Sequence, residues 1–407
     1  MTKLSMRNLI LFDSEARNHL LPLTATRPMG ELRLGILTLR EKWERRLRAS
    51  VSYITQEYLQ EKYPIRIEDD NLIVNAGILP TEAICARILD METNEALLLD
   101  GELVAARLNE GQFEQLISED EVHELNGREL PNNIELQRIE RLWDFIRLND
   151  RSIREDFALL TKDHKSQPLS DTNRVLGTEN IFLEPGAKVE CCTLNATTGP
   201  IYIGKNAEVM EGSLLRGPLA VCEEVVVKMG AKIYGPTTLG PHCRAGGEVS
   251  RSILFGFSNK GHDGFLGDSV LGEWCNLGAD TNNSNLKNNY SEVKLWDYVS
   301  ERFETTGQQF LGLVMGDHAK CGINTMFNTG TVVGVFCNVY GAGYPRNFIP
   351  DFAWGGPEGG YKTYVFNEAC ETAMRVMERR HIPFTELDKA ILFHIYDRTA
   401  KFRSWEK

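Results

Sequence analysis

Residues 260–287 read KGHDGFLGDSVLGEWCNLGADTNNSNLK: one histidine, a Gly-Asp pair, then a run of Asn, Gly and Ala with almost nothing to build a helix from. An imidazole with an ordinary pKa of about 6.5 accepts and returns a proton near neutrality, which is worth about a hundredfold to ten-thousandfold in a transition state. Asparagine side chains such as Asn276 and Asn285, and backbone N–H groups at turns, steady a developing oxyanion without adding a titrating charge. His262 is therefore the candidate proton acceptor. The competing role is a solvated or hydrogen-bonded loop histidine.

The elements that must hold these residues follow a six-residue period. Ile203, Val209, Leu215, Val221, Val227, Ile233, Leu239 and Ala245 are aliphatic at every sixth position. Ala207, Ser213, Leu219, Val225, Ala231, Thr237, Cys243 and Val249, four further on in each hexad, are small or carry short apolar side chains. One large aliphatic and one small residue per hexad describe one face of a triangular coil of short parallel strands, about eighteen residues per turn, with the aliphatics stacked inside. This predicts a left-handed parallel β-helix. The period resumes at Met315, Cys321, Phe327, Val333 and Val339, which places Cys243, Cys321 and Cys337 inside as small fillers. The polar, Asn-rich interval 281–311 is expected to leave the coil as an excursion.

The N-terminal part reads differently. NLILFD (8–13), VSYIT (51–55) and NLIVNAG (71–77) have the look of buried strands, while 30–47 and 81–92 have helical spacing. A charged amphipathic helix is expected within 135–165. The predicted organisation is an α/β, Rossmann-like domain over 1–165, a β-helix over 166–350 and a C-terminal helical cap over 351–407. The cap's two helical patterns, FNEACETAMRVMERRH and FTELDKAILFHIYDRTAKF, would close the open end of the coil.

The sequence from His262 onward closely resembles the acetyltransferase signature of the bifunctional N-acetylglucosamine-1-phosphate uridylyltransferase and glucosamine-1-phosphate acetyltransferase family and its archaeal sugar-1-phosphate nucleotidyltransferase relatives. His262 stands five residues before Gly267, as the family's catalytic histidine precedes its LGD or VGD triplet. Asn276 through Thr281, NLGADT, match the family's NxGAGT, and Asn285 matches its downstream asparagine. The resemblance implies that His262 is the general base, that Asn276 and Asn285 position the amino sugar and the thioester, and that Gly278, Ala279 and Thr281 lie against acetyl-CoA as acyl donor. An attacking amine must be neutral, which gives the base its task. The family's tyrosine three residues after the histidine is Phe265 here. Its phosphate-holding Arg and Lys fall on Tyr234 and Ser250, with Arg251, Lys228 and Lys232 as the nearby cations.

Residues 20–39 are similar to the family's sugar-nucleotidyltransferase stretch, with Arg17 and Arg27 as candidate nucleotide-binding residues and Mg²⁺ with a nucleoside triphosphate as the implied cofactor. The family's Gly-rich loop corresponds to FDSEARNH (12–19), which has no glycine, its lysine to Met29, and its metal-binding Asp to a segment, VNAGILP (74–80), with no acidic residue. The implied substrate is an amino-sugar phosphate or nucleotide sugar, and the implied assembly is a homotrimer with the acyl site between prisms.

A formal charge of −12 repels nucleic acid and anionic membranes. No stretch reaches the roughly 18 apolar residues of a membrane span, no signal-peptide cleavage region follows the first apolar run, and nine cysteines without CxxC spacing point to a reducing cytoplasm. A γ-class carbonic anhydrase of the same fold is excluded, since no HxxxxH occurs and His242, His262 and His318 are too far apart in sequence to replace it. The remaining alternatives are a non-catalytic scaffold and a nucleotidyltransferase-only relative whose acyl site has decayed.

Overall fold

The computed structural model describes residues 6–113, 125–131 and 134–406. The chain divides into two compact units that interleave in sequence: Met1–His19, Arg27–Leu32 and Leu37–Arg141 form the first, and Leu20–Thr26, Arg33–Ile36 and Leu142–Lys407 the second.

The first unit is built on a mixed sheet in the order Ala49–Ile54, Arg7–Phe12, Asn71–Asn75, Glu102–Leu108, Glu95–Leu99, Asn126–Glu129. Its first three strands run parallel, with the apolar centres at residues 9–11 and 72–74 buried. The helical spacing at 30–47 resolves into less helix than expected. Only Leu39–Leu47 is α-helical, opened by a Thr38–Glu41 capping box, while Met29–Glu31 is a 3₁₀ turn. The break falls at Gly35, whose φ is 73°. A Cβ there would meet an Asp156 carboxylate oxygen at 2.6 Å, so only glycine fits.

Gly35 and its neighbours belong to the second unit. The long helix Asp144–Thr161 accepts the Gly35 N–H on Asn149 Oδ1 at 2.9 Å and the Ile36 N–H on Asp156 Oδ2 at 2.8 Å. Thr238 Oγ1 donates to the Gly35 carbonyl at 2.9 Å, which ties the same segment to the coil.

The coil is a left-handed β-helix with three long parallel faces. Ile203, Val221 and Leu239 sit in register on the first face, Val209, Val227 and Ala245 on the second, and Leu215 and Ile233 on the third. All eight hexad aliphatics are buried, as are Met315, Cys321, Phe327, Val333 and Val339 of the second run. Each aliphatic contributes about 1.5–3 kcal/mol by leaving water. After Ala245 the turn shortens: Leu239 pairs with Leu254 and Ala245 with Lys260, fifteen residues on rather than eighteen. Val249 thereby takes the strand-centre position beside Ile233. Lys260 takes an inward position that every other turn fills with an apolar residue.

The excursion carries an antiparallel hairpin, Lys294–Asp297 with Arg302–Thr305. The tail folds as a hairpin, Ala353–Gly356 with Gly360–Thr363, and two helices, Phe366–Glu378 and Glu386–Arg398. Phe352, on the last turn, packs against Phe366 and Tyr396, so these helices cover that end.

One corner of the coil is an aromatic column. His242, Phe257, Trp274, His318, Phe336 and Phe352 all adopt left-handed backbone, with φ between 54° and 62°. Successive rings lie near-parallel with centroids 4.9, 4.2, 6.0, 4.7 and 5.6 Å apart. Left-handed backbone costs a non-glycine residue roughly 1–2 kcal/mol, and stacking returns about 0.5–1.5 kcal/mol per pair.

Candidate functional site

His262 is exposed on the corner between the strands Asn259–Lys260 and Phe265–Gly267. Its imidazole makes no hydrogen bond among the described residues, and so is available to a ligand. The corner beneath the ring is fixed from three sides. Gly264 has φ 111° and approaches Thr281 so closely that a Cβ would lie 2.2 Å from the Thr281 carbonyl oxygen. Below, a Cβ on Gly247 would meet the His262 and Gly264 carbonyls at 2.8 Å. Above, the Asp280 N–H donates to the Asp263 carbonyl at 3.1 Å.

The third support comes from inside. Lys260 is 1% exposed, and its ammonium donates to the carbonyls of Asp263 at 3.0 Å and Gly246 at 3.4 Å, and also to that of His262. Burial pushes the ammonium down to about 8, opposed by the nearby charges of Asp263 and Asp280. Lysine spacing gave no hint of this, because the hexad frame places no lysine inward.

The third face, which begins at this corner, is held by asparagines from the next turn. Asn282 Oδ1 accepts the Phe265 N–H and Asn283 Oδ1 the Gly267 N–H, both at 2.8 Å. Phe265 is half-buried and in register with Glu248. Tyr234, 36% exposed, donates its hydroxyl to Glu248 at 2.7 Å. Arg251 pairs with the buried carboxylate of Asp268 at 2.7 Å and lies 4.8 Å over the Phe310 ring. Asn285 donates to the same carboxylate at 2.6 Å. Burial raises the Asp268 carboxyl, against the opposing hydrogen bond and charge of Arg251. Asn285 and Arg251 therefore stand at the far edge of the face from His262, about 10 Å away for three residues at roughly 3.3 Å each.

The remaining matched residues occupy the next turn. Asn276 faces outward in register with Asn259, whose amide reaches it at 3.4 Å. Ala279 and Gly278 are half-buried at the corner stacked above His262, with the Ala279 carbonyl accepting from Asn324 N at 2.8 Å. Thr281 is 1% exposed, and its hydroxyl is used internally by the Gly278 carbonyl at 2.7 Å. The structure thus groups His262, Asn276, Gly278, Ala279 and Phe265 around two stacked corners, sets Asn285, Arg251 and Tyr234 apart from that corner on the face, and turns Thr281 inward. Sequence reading missed Lys260, Asp268 and Glu248. The Gly-Asp pair was the one visible signal for Asp268.

In the first unit, Asp13 accepts Met29 N at 2.8 Å and Thr55 Oγ1 at 2.6 Å, and pairs with Arg17 Nε at 3.1 Å. Burial raises the Asp13 carboxyl, with the Thr55 hydrogen bond and the Arg17 charge acting against it. Arg17 also donates to Tyr58 at 2.8 Å, and both Arg17 and Arg27 are buried. Neither lines the nearby cavity of about 260 Å³, which presents Glu15, Glu102 and Glu140, and whose one base, Arg138, is paired to Glu102 and Glu140 at 2.9 and 3.2 Å. The charged groups of this lining are three carboxylates and one ion-paired arginine, beside the polar Ser14 and Asn75. No group of three His, Cys, Asp or Glu side chains arranged to hold a metal ion occurs among the described residues. No described helix is long and apolar enough to cross a membrane.

Residues 9–165 match a family model described as a sugar nucleotidyl transferase. The bifunctional protein GlmU of Methanocaldococcus jannaschii is 34% identical over 30% of this chain and 27% of its own length. The bifunctional sugar-1-phosphate nucleotidylyltransferase/acetyltransferase of Sulfurisphaera tokodaii is 30% identical over 45% of this chain and 49% of its own. The chain spans about half the length, or less, of these relatives. Among solved structures, AntD, an N-acyltransferase from Bacillus cereus in complex with dTDP and 3-hydroxybutyryl-CoA, matches 52% of this chain and 87% of its own at 9% identity and a TM-score of 0.23.

Proposed function

From the membership of this chain in a GlmU-like family of sugar nucleotidyltransferases joined to a left-handed β-helix, we propose that it is a transferase that moves an acetyl group from acetyl-CoA to the amine of an amino sugar or its phosphate. The observation that carries this reading is the exposed, unpartnered imidazole of His262 on a corner whose backbone is immobilised from inside and from both neighbouring turns. Acyl transfer is better supported than nucleotidyl transfer, because the charged lining of the first unit's cavity is three carboxylates against one ion-paired arginine.

His262 takes a proton from the acceptor's amine as nitrogen bonds to the thioester carbonyl carbon. Asn276 and the N–H groups of the stacked corners are the uncharged donors available to the oxygen that gains charge. The carbon–sulfur bond then breaks, and the proton held by His262 returns to the departing thiolate, so charge and atoms balance. Asn285 stands too far across its own face to join this set, which favours a homotrimer in which one prism's Asn285 edge meets another's His262 corner. Nine unpaired cysteines suit a reducing compartment such as the cytoplasm.

Purified protein incubated with acetyl-CoA and glucosamine 1-phosphate, or a panel of other amino sugars, should release thiol at a rate abolished in His262→Ala. No release with any amino sugar, or release unaltered by that substitution, overturns the reading. Light scattering should give three times the chain mass, and a monomer at micromolar concentration removes the trimer.

A further inference from the structure

The excursion hairpin and the coil enclose a second hollow, of about 730 Å³, whose lining shares no residue with the His262 corner. This volume is within the range of about 300–1,000 Å³ typical of small-molecule sites. Its chemistry is unlike that of the rest of the surface. The chain carries a net charge of −12, yet the hollow is lined by Lys287, Lys294 and Arg346 and by no carboxylate. Neither Lys294 nor Arg346 forms an ion pair among the described residues, and Lys287 is held by the carbonyl of Glu292 at 2.6 Å.

The aromatic half of the lining is organised with the cations. Lys294 stands two residues before Trp296 on one hairpin strand, and so on the same face of it, while Trp296 pairs across the hairpin with Phe303. On the coil, Arg346 stands two residues before Phe348. The Trp296 and Phe348 rings stack at 4.2 Å and 10°, so the two cation–aromatic pairs share one ring-lined wall. Phe303 lies edge-on to Trp296 at 5.4 Å and remains 42% exposed, an apolar ring left uncovered by the described residues. Trp296 Nε1 is buried and has no acceptor among the described residues.

Three cations and an exposed ring suit a planar aromatic ring that bears phosphate. We propose that this hollow binds a nucleoside phosphate, with Lys294, Arg346 and Lys287 on the phosphate and Phe303 against the base. Stacking and cation contacts each add to such recognition, and neither half of the ligand satisfies the site alone. Two sources share this chemistry: the 3′-phosphorylated ADP end of a CoA thioester, and the nucleoside diphosphate of a nucleotide sugar. The proposal does not depend on His262 or on acyl transfer.

Calorimetric titration of the full chain with adenosine 3′,5′-bisphosphate, UDP, adenosine and inorganic phosphate tests it. At least one nucleotide should bind about tenfold or more tighter than adenosine or phosphate. That affinity should fall about tenfold or more in the Lys294→Glu, Arg346→Glu double variant and when salt is raised from about 0.05 to about 0.5 M. Phe303→Ala should weaken the nucleotide and leave inorganic phosphate unchanged. These exposed positions are expected to leave the thermal melt in place. Tighter binding of the bisphosphate identifies the CoA end as the source, and tighter binding of UDP the nucleotide sugar. The proposal is overturned if no nucleotide binds more tightly than phosphate, or if nucleotide affinity survives the double charge reversal, which would assign it to the first unit.

Discussion

The ammonium of Lys260 donates to the main-chain carbonyl of Asp263 at 3.0 Å from within the coil, on the inner side of the corner whose outer side bears His262. A charged group occupies a position that Ala245 fills one turn below and Leu277 one turn above. The charge is tolerated because three carbonyls accept from it. Those carbonyls belong to the turns that set the height and tilt of the imidazole.

That arrangement fixes a pH dependence. Burial brings Lys260 down to about 8, and Lys320, whose Nζ donates to the His318 carbonyl at 2.8 Å, is brought down to about 8 by the same cause. Between pH 8 and the ordinary lysine value of 10.5, the unfolded chain keeps protons that the folded one releases, so stability rises with pH across that window. For Lys260 the full rise is on the order of 3 kcal/mol. Urea midpoints measured from pH 7 to 10 should climb in the native chain and climb less in Lys260→Met, with Lys320 supplying the remainder. A profile identical to the native one in Lys260→Met contradicts the buried-ammonium assignment.

Replacement of His262 by Gln should reduce acetyl transfer by about a hundredfold to ten-thousandfold while leaving stability within about 0.5 kcal/mol, because the ring is exposed and bonds nothing in the chain. Initial rates of thiol release, read beside a urea titration of the same variant, separate loss of chemistry from loss of fold.

The Arg251–Asp268 pair should respond asymmetrically. Asp268 is 1% exposed on its side chain and Arg251 38%, so removing the arginine strands a carboxylate with only Asn285 left to it, whereas removing the acid leaves a guanidinium that can reach water. Arg251→Ala is expected to cost about 3 kcal/mol and Asp268→Asn about 1–2 kcal/mol. In Arg251→Ala the carboxyl, already raised by burial, would be raised further, so the deficit should deepen as pH climbs from the ordinary carboxylate value to the raised one and stay level above it. Equal losses in the two variants, measured by urea unfolding at pH 5 and 7, would rule this account out.

Asp13 is a structural clamp in this chain, joining the Met29 N–H, the Thr55 hydroxyl and Arg17 at one buried point. Asp13→Ala should lower stability by about 3 kcal/mol, since it removes the carboxylate paired with the buried Arg17 and the acceptor of the Met29 N–H. A variant as stable as the native chain, with altered nucleotide affinity instead, would assign Asp13 to ligand binding.

Much of this was legible in the residues. The hexads from Ile203 to Ala245 state the coil directly, because an inward aliphatic every six residues has no other economical packing, and the three N-terminal strands were visible as short apolar runs, although nothing in them stated that they run parallel. The frame fails just past Ala245, where the turn drops to fifteen residues. Stepping by six from there gives Arg251 and Phe257, neither of which is the strand-centre residue, while Val249 and Lys260 are. Nothing local marks the shortened turn, and a lysine contradicts the pattern that would have to predict it. The helix expected over 30–47 fails for a different reason: Gly35 is held by Asn149 and Thr238 and Ile36 by Asp156, contacts more than a hundred residues away in sequence. His262, Asn276, Ala279 and Asn285 were singled out by the family resemblance; His262 and Ala279 lie on stacked corners and Asn276 on the strand before the second, whereas Asn285 is drawn to Asp268 by a contact that the matched motif does not encode.

The ring column from His242 to Phe352 bears on how the coil is assembled. Each ring stacks on the one preceding it, so within the column every added layer rests on its immediate neighbour. Growth of such a stack has no intrinsic stopping point, and turn number can change over evolutionary time by whole-layer gain or loss without redesign of what lies below. The terminal helices that seat Phe352 against Phe366 and Tyr396 are what give the molecule a defined height.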